Sequence, residues 1–208
     1  MVRRARRWSR CRCRREQRSM ATELAGYGLA GLDPAGWTLA YIGLLAWLGA
    51  GLLDFMCHRR SDLPHTSGLG ESTLHLLQLA LVGGAIMSGM LFEIDAPVIS
   101  AMALLVLAHA FVGYADTRWA FRYRSIRPLE QHVHSVLDMA PWIGLGLVVA
   151  LTWPAAISAD FSLDLRQPAL RLPVWLLVLV PATLLCGLPA ALEWRAAWLA
   201  RLEPRRDA

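Results

Sequence analysis

The sequence predicts an all-α, polytopic membrane protein: a helical bundle with about five transmembrane helices. Three observations lead to this prediction. The hydrophobic fraction is 56% and the mean hydropathy is +0.40, whereas a soluble domain is roughly 45–50% apolar. The apolar residues fall into five blocks, each near the roughly 20 residues that a helix needs to cross a bilayer. Arginines are concentrated between the blocks. We therefore expect a single integral membrane domain over residues 20–208.

The five segments follow a glycine-rich lead-in at residues 21–35. Asp95 is a suitable N-cap for the third segment, and Pro128 suits the first turn of the fourth. Pro181 and Pro189 are predicted to kink the fifth. The expected transmembrane segments are 36–56, 72–94, 97–114, 129–153 and 172–194.

The net charge of +5 is produced by the N-terminal tail. The chain has 21 arginines and no lysine, and nine of those arginines lie in residues 1–19, so the rest of the chain is slightly acidic. A basic arm for nucleic acid or anionic lipid is one interpretation of this tail. We favour the other, a disordered or non-native extension ahead of Met20, and expect no nucleic-acid partner.

The remaining arginines predict an orientation. Ten of the twelve follow the first, third and fifth segments, at positions 59 and 60, 118 to 127, and 195 to 206, and the opposite loops hold only Arg166 and Arg171. With five spans these regions share one side of the membrane, which the positive-inside rule makes cytoplasmic. The N-terminus then lies outside, where nine arginines would contradict the rule.

Each of the first four segments carries one carboxylate and one histidine on one face. Three of the pairs are spaced i, i+4, and the pair of the third segment is spaced by seven residues, about two helical turns. Because the segments alternate in direction, we expect all the pairs to meet near the arginine-rich side, in one layer of a four-helix core. The eight candidate metal ligands are Asp54, His58, Glu71, His75, His109, Asp116, Glu130 and His134.

Imidazoles and carboxylates are the ligands of iron, manganese and zinc. One such group near a helix end is ordinarily an interfacial polar residue, but four repeats at one depth are not explained that way. Soluble di-iron bundles draw Glu and Glu-x-x-His ligands from four helices, whereas the spacing here is i, i+4 and histidine is more abundant. We predict two divalent metal ions, with iron first and zinc as the alternative.

Three polar residues are predicted to support the ligands. Gln78 and Asp138 lie about one turn deeper than a ligand histidine and are placed to orient it. His132 lies about 200° around the helix from Glu130, at the surface or in a supporting position. The fifth segment has no ligand pair, so we expect it to pack outside the four-helix core, with Glu193 as an interfacial anchor.

The stretch at residues 126–135, IRPLEQHVHS, taken with the four pairs, resembles a small family of bacterial integral membrane proteins. The resemblance implies a bacterial inner membrane and brings no activity with it. In architecture the site is similar to membrane di-iron oxidases and desaturase-like enzymes, although their HxxxH and HxxHH boxes are absent.

The leading functional hypothesis is a membrane di-iron oxidoreductase that hydroxylates or desaturates a lipid or other hydrophobic substrate with O₂. The sequence contains no flavin or iron–sulfur motif, so a separate electron donor is expected. A zinc hydrolase shares the ligands and is one alternative. A haem-binding or metal-transporting protein is another, although haem does not need four carboxylates.

Overall fold

The computed structural model describes residues 34–158 and 163–202, so the prediction about residues 1–19 lies outside the described residues. The described chain is helical, and its β-structure is one isolated bridge between Phe92 and Leu165. The helices are α1 (Pro34–Arg60), α2 (Gly68–Leu91), α3 (Ala96–Tyr123), α4 (Pro128–Ala156), α5 (Leu172–Ala182) and α6 (Leu188–Leu202).

Five helical spans are long and apolar enough to cross a membrane, because α5 and α6 form one continuous span. Their outward surfaces carry large apolar side chains such as Leu104, Phe111 and Leu176. The chain is therefore a multi-pass membrane protein, and the predicted fold class is confirmed. Four of the spans extend at least four residues beyond their predicted apolar segments at the arginine-rich end, because polar residues continue the helices there.

The helices are arranged as a closed ring. α1 packs against α4, α4 against α3, α3 against α2, and α2 against α6, which returns to α1. The expectation that the fifth segment packs outside the core is therefore wrong. Its two flanking helices, α1 and α2, leave a gap in the ring that α6 fills.

A π-helical turn (Thr183–Gly187) joins α5 to α6. Pro189 has no N–H to donate to the carbonyl of Leu185, and its ring crowds that carbonyl. The helix widens instead, and the Leu188 N–H donates to Thr183 O, five residues back. The prolines were predicted to kink the fifth segment, and the structure has a wider, π-helical turn there, which packs against α1.

The end of the bundle opposite the arginine-rich end holds its apolar core. Ala85, Val98, Met102 and Val106 form a buried cluster between α2 and α3. Asp95 caps α3 as predicted, since its side chain accepts a hydrogen bond from the Val98 N–H at 2.9 Å. This packing fixes the depth of α2 against α3.

At the arginine-rich end, a short 3₁₀ helix (Leu63–His65) connects α1 to α2 and packs beneath α6. Leu63 is fully buried there. Trp119 of α3 donates from Nε1 to Ser67 O at 3.0 Å and lies against Gly70, where a Cβ atom would collide with the indole. These contacts close the end of the ring over the site.

Candidate metal centre

His58 lies at the centre of the candidate site. Its Nε2 atom is 3.5 Å from Asp54 Oδ1, 3.6 Å from Glu71 Oε1 and 3.5 Å from Glu130 Oε1. His58 and Glu130 are 1% exposed and Glu71 is 0% exposed. Helices α1, α2 and α4 thus direct one ring nitrogen and three carboxylate oxygens at the same small volume.

His134 joins this group from α4, one turn after Glu130. Its Nε2 atom is 3.0 Å from Asp54 Oδ1. The atoms Asp54 Oδ1, His58 Nε2 and His134 Nε2 are buried, and none has a hydrogen-bond partner in the described part of the chain. Buried polar atoms are nearly always hydrogen-bonded, so three without a hydrogen bond, of which Asp54 Oδ1 lies 3.5 Å and 3.0 Å from the other two, have the character of a metal-ligand set.

Two overlapping groups of side chains have ligand atoms within 4.8 Å of one another. Around one metal ion with bonds of 2.0–2.2 Å, neighbouring ligand atoms are about 3–3.5 Å apart. The separations of 3.0–3.6 Å around His58 and Asp54 match that spacing. The first group is Asp54, His58, Glu130 and His134, and the second is His58, Glu71 and His75.

Glu193 of α6 holds two of the histidines. Its Oε2 atom accepts from His58 Nδ1 and its Oε1 atom accepts from His75 Nδ1, both at 2.8 Å. The two imidazoles are stacked in parallel, with ring centroids 4.6 Å apart. A carboxylate that accepts from Nδ1 leaves the lone pair on Nε2, which is how metal-ligating histidines are usually oriented.

The assignment of Glu193 as an interfacial anchor is therefore wrong, because the residue is buried at the site. A sequence signal for it exists: Glu193 is an acid within an apolar block, near the arginine-rich end where the other acids lie. It was missed because α6 carries no histidine of its own to pair with it.

His75 also faces Asp116 of α3, whose Oδ2 atom is 3.2 Å from His75 Nε2. Gln78 Nε2 donates to the same Oδ2 atom at 3.4 Å, so Gln78 supports Asp116 and not a histidine. Asp116 Oδ1 is buried without a hydrogen-bond partner among the described residues. It is thus a further carboxylate oxygen available for a cation.

Arg124, directly after α3, is the second residue that the sequence reasoning missed. Its guanidinium donates to Glu71 and to Glu130. Burial alone would lower the pKa of this guanidinium, but the two carboxylates raise it above its ordinary value, so Arg124 stays charged. Its position between the third and fourth segments indicates only the orientation in the membrane, and the sequence does not show that its side chain turns inward.

The site carries excess negative charge. The site contains five buried carboxylates and one guanidinium, that of Arg124, which contacts two of them, so four negative charges remain when the histidines are neutral. Uncompensated buried charge is costly, and two divalent cations would balance it. The five carboxylates are Asp54, Glu71, Asp116, Glu130 and Glu193.

His109 lies away from the cluster. It is buried, but it belongs to neither group of ligand atoms. The prediction that all eight residues lie in one layer is wrong for His109, because two residues on one face of a helix can lie at different depths. Seven residues from Asp116 correspond to about 10 Å along the axis, so His109 lies two turns deeper and the structure does not bring it to the other ligand candidates.

The other supporting residues divide in two. Asp138 approaches Gly113, where an added Cβ atom would lie 2.8 Å from Asp138 Oδ1, so it does lie one layer below the cluster. His132 is exposed, and its Nδ1 donates to Pro128 O of its own helix at 2.8 Å. It is a surface residue and does not support the site.

A cavity of about 170 Å³ lies inside the ring. At one end it is bounded by residues of the cluster, including His58, His75 and Glu193. Away from them its wall becomes apolar, and it extends about 11 residues along α1, α2 and the fifth span, roughly 16 Å. The apolar wall includes Trp47, Leu48, Leu79, Val82, Ile86 and Ala182.

Comparisons of the chain with protein-family models, with curated proteins and with solved structures give no match. The class of the protein therefore follows from its own fold and site: a multi-pass helical membrane protein with a buried histidine and carboxylate cluster at the head of an apolar cavity.

Proposed function

We propose that the protein is a membrane-bound, metal-dependent oxidoreductase, with two iron ions, that uses O₂ to hydroxylate or desaturate a lipid or another hydrophobic substrate. The observation that carries the metal assignment is the convergence of Asp54 Oδ1, His58 Nε2 and His134 Nε2, buried and without hydrogen bonds in the described chain. Glu193 supports it, because it fixes the His58 tautomer that ligation needs.

Mixed histidine and carboxylate ligands favour iron, because carboxylates neutralise the charge of the metal and imidazoles hold it in place. Four negative charges favour two divalent ions over one. His58 and His75 are stacked side by side on one carboxylate, so this pair is unsuited to bind a haem from opposite faces.

The cavity supports a hydrophobic substrate, because its apolar wall leads directly to the cluster. Hydroxylation would consume one C–H bond, one O₂, two electrons and two protons, and would yield one hydroxyl group and one water. Desaturation would remove two hydrogens from the substrate and, with the same two electrons and two protons, would yield two waters. A separate protein reductase would supply the electrons in either case.

We place the protein in a bacterial inner membrane with the cluster near the cytoplasmic face. The arginines that follow the first, third and fifth apolar segments favour this orientation by the positive-inside rule. A soluble cytoplasmic reductase would then approach the end of the ring closest to the cluster.

The first test is metal analysis of the protein purified in detergent, together with its optical spectrum. We expect about two irons per chain and no haem Soret band. His134→Ala should lower the bound metal at least tenfold at equal free metal, because it removes a ligand. His132→Ala is the matched control: it lies two residues away on the same helix, is exposed, and should leave metal content unchanged.

Each other outcome has a defined meaning. Stoichiometric zinc would replace the oxidoreductase by a hydrolase that activates water at the same ligands. A Soret band would favour haem. If the wild-type chain binds no metal and His134→Ala behaves like wild type in thermal unfolding, the proposed centre is wrong.

A further inference from the structure

His109 is a buried polar side chain that the cluster does not use. It is 4% exposed, it lines the cavity, and its Nδ1 atom has no hydrogen-bond partner among the residues that the structure describes. Leaving such an atom unpaired in a buried site is costly. The position is therefore matched to a bound molecule that supplies the partner.

The surroundings of His109 are apolar at its own depth. His75 of α2 lies beside Asp116 of α3. Val82 is seven residues from His75, as His109 is from Asp116, so Val82 lies at the depth of His109. Val82, Gly83 and Ile86 all line the cavity. Cys186, which also lines it, directs its thiol to Leu48 O at 3.5 Å. A molecule in this part of the cavity meets an apolar wall and the imidazole of His109, while Gln78 and Asp138 lie one helical turn nearer the cluster, against Gly113.

We propose that His109 binds the polar group of the substrate, and that the substrate is a lipophilic molecule with a hydroxyl or carbonyl group roughly 10 Å from the carbon that reaches the cluster. The identification of this molecule as the substrate rests on the proposed function, but the binding site itself does not. A neutral imidazole donates from one ring nitrogen and accepts at the other, so it can pair with either group.

The chemical consequence is selectivity for an oxygen function. A plain hydrocarbon of the same length would fill the apolar wall and leave the imidazole unpaired, and sites with buried polar groups reject analogues that lack the partner. One hydrogen bond corresponds to a preference of about three- to tenfold.

The test measures binding of two radiolabelled probes, 1-hexadecanol and hexadecane, to immobilised protein in detergent by scintillation proximity. Gly83→Leu defines the background. A Cβ atom at Gly83 would meet no atom of the described residues within 4 Å, so the larger side chain fits the fold but fills the cavity. Gly144→Leu is its control: this glycine is also open, but it is exposed on α4 and does not line the cavity.

We expect the wild type to prefer 1-hexadecanol by about three- to tenfold. His109→Phe should bring the ratio of the two affinities near one while metal content stays at the wild-type level. His109→Gln, which keeps a donor and an acceptor, should retain most of the preference. If His109→Phe does not fold, as judged by thermal unfolding, His109→Met makes the same comparison.

An unchanged preference in His109→Phe, or no preference in the wild type, would overturn the proposal. Loss of metal from the folded His109→Phe protein would overturn it as well, since His109 would then be a ligand. Absence of metal from the wild type would instead sink the proposed function, and the ratio of probe affinities would still report on His109.

Discussion

At the scale of single residues, Glu193 holds two of the ligand candidates although the sequence did not predict it as part of the site. One carboxylate accepts hydrogen bonds from His58 and His75 on two different helices. Both rings are thereby held parallel, stacked with their centroids 4.6 Å apart, and both direct Nε2 towards carboxylates. The orientation of two candidate ligands depends on this residue.

Glu193→Gln should weaken metal binding by about 10- to 100-fold, the usual cost of losing a carboxylate that orients a ligand histidine. The amide can accept from one imidazole through its oxygen, but its NH₂ group cannot accept from the other. Titration of metal-free protein with Fe²⁺ under anaerobic conditions measures the change in affinity.

The control is Asp62→Asn, which also replaces a carboxylate by its amide. The Asp62 side chain is 68% exposed and contacts His65, three residues along the chain. It should bind Fe²⁺ like the wild type. If Glu193→Gln also binds Fe²⁺ like the wild type, Glu193 does not position the ligands.

The residues that the sequence could and could not predict differ in a physical way. Asp54, His58, Glu130 and His134 were predicted because i, i+4 pairs stay at nearly one depth and on one face. His109 was misplaced because a shared face says nothing about the distance along the axis. Arg124 was missed because a long side chain at a helix end can turn to the loop or to the core, and only packing decides.

At the scale of helices, alternating direction brings the polar ends together. α1, α3 and α6 end on the side where α2 and α4 begin, so a polar residue near each end reaches one region without bending any helix. Hydropathy blocks and arginine positions are enough to predict this arrangement. They do not report which helices are neighbours, which is why the place of the fifth span between α1 and α2 was not predicted.

The contact that closes the ring depends on Gly51 of α1. A Cβ atom there would lie 2.7 Å from Cys186 Sγ in the π-helical turn. Gly51→Leu should therefore force α1 away from the turn and destabilise the fold by about 1–3 kcal/mol, the usual cost of overpacking. Thermal unfolding in detergent measures it. Gly49→Leu on the same helix, where a Cβ atom meets nothing within 4 Å, should be neutral or slightly stabilising; equal effects of the two substitutions would exclude this packing role.

At the scale of the whole molecule, charge is divided between the interior and one rim of the bundle. Five buried carboxylates lie inside the ring, and the described arginines at or directly after the ends of α1, α3 and α6 lie around the same end. Arg124 alone among those described arginines is bonded to the buried carboxylates. The rim can therefore set the orientation in the membrane while the interior sets the affinity for cations.

The orientation is tested by labelling single cysteines in a variant whose four native cysteines are replaced by serine. Asp62→Cys lies at the arginine-rich rim and Leu165→Cys in the connection at the other end, and both native side chains are exposed. In right-side-out bacterial spheroplasts, a membrane-impermeant maleimide should label Leu165→Cys at once and Asp62→Cys only after permeabilisation, because the arginine-rich side is held in the cytoplasm. Both should react fully in detergent. The reverse pattern would place the cluster near the outer face, and a cytoplasmic reductase could then not be the electron donor.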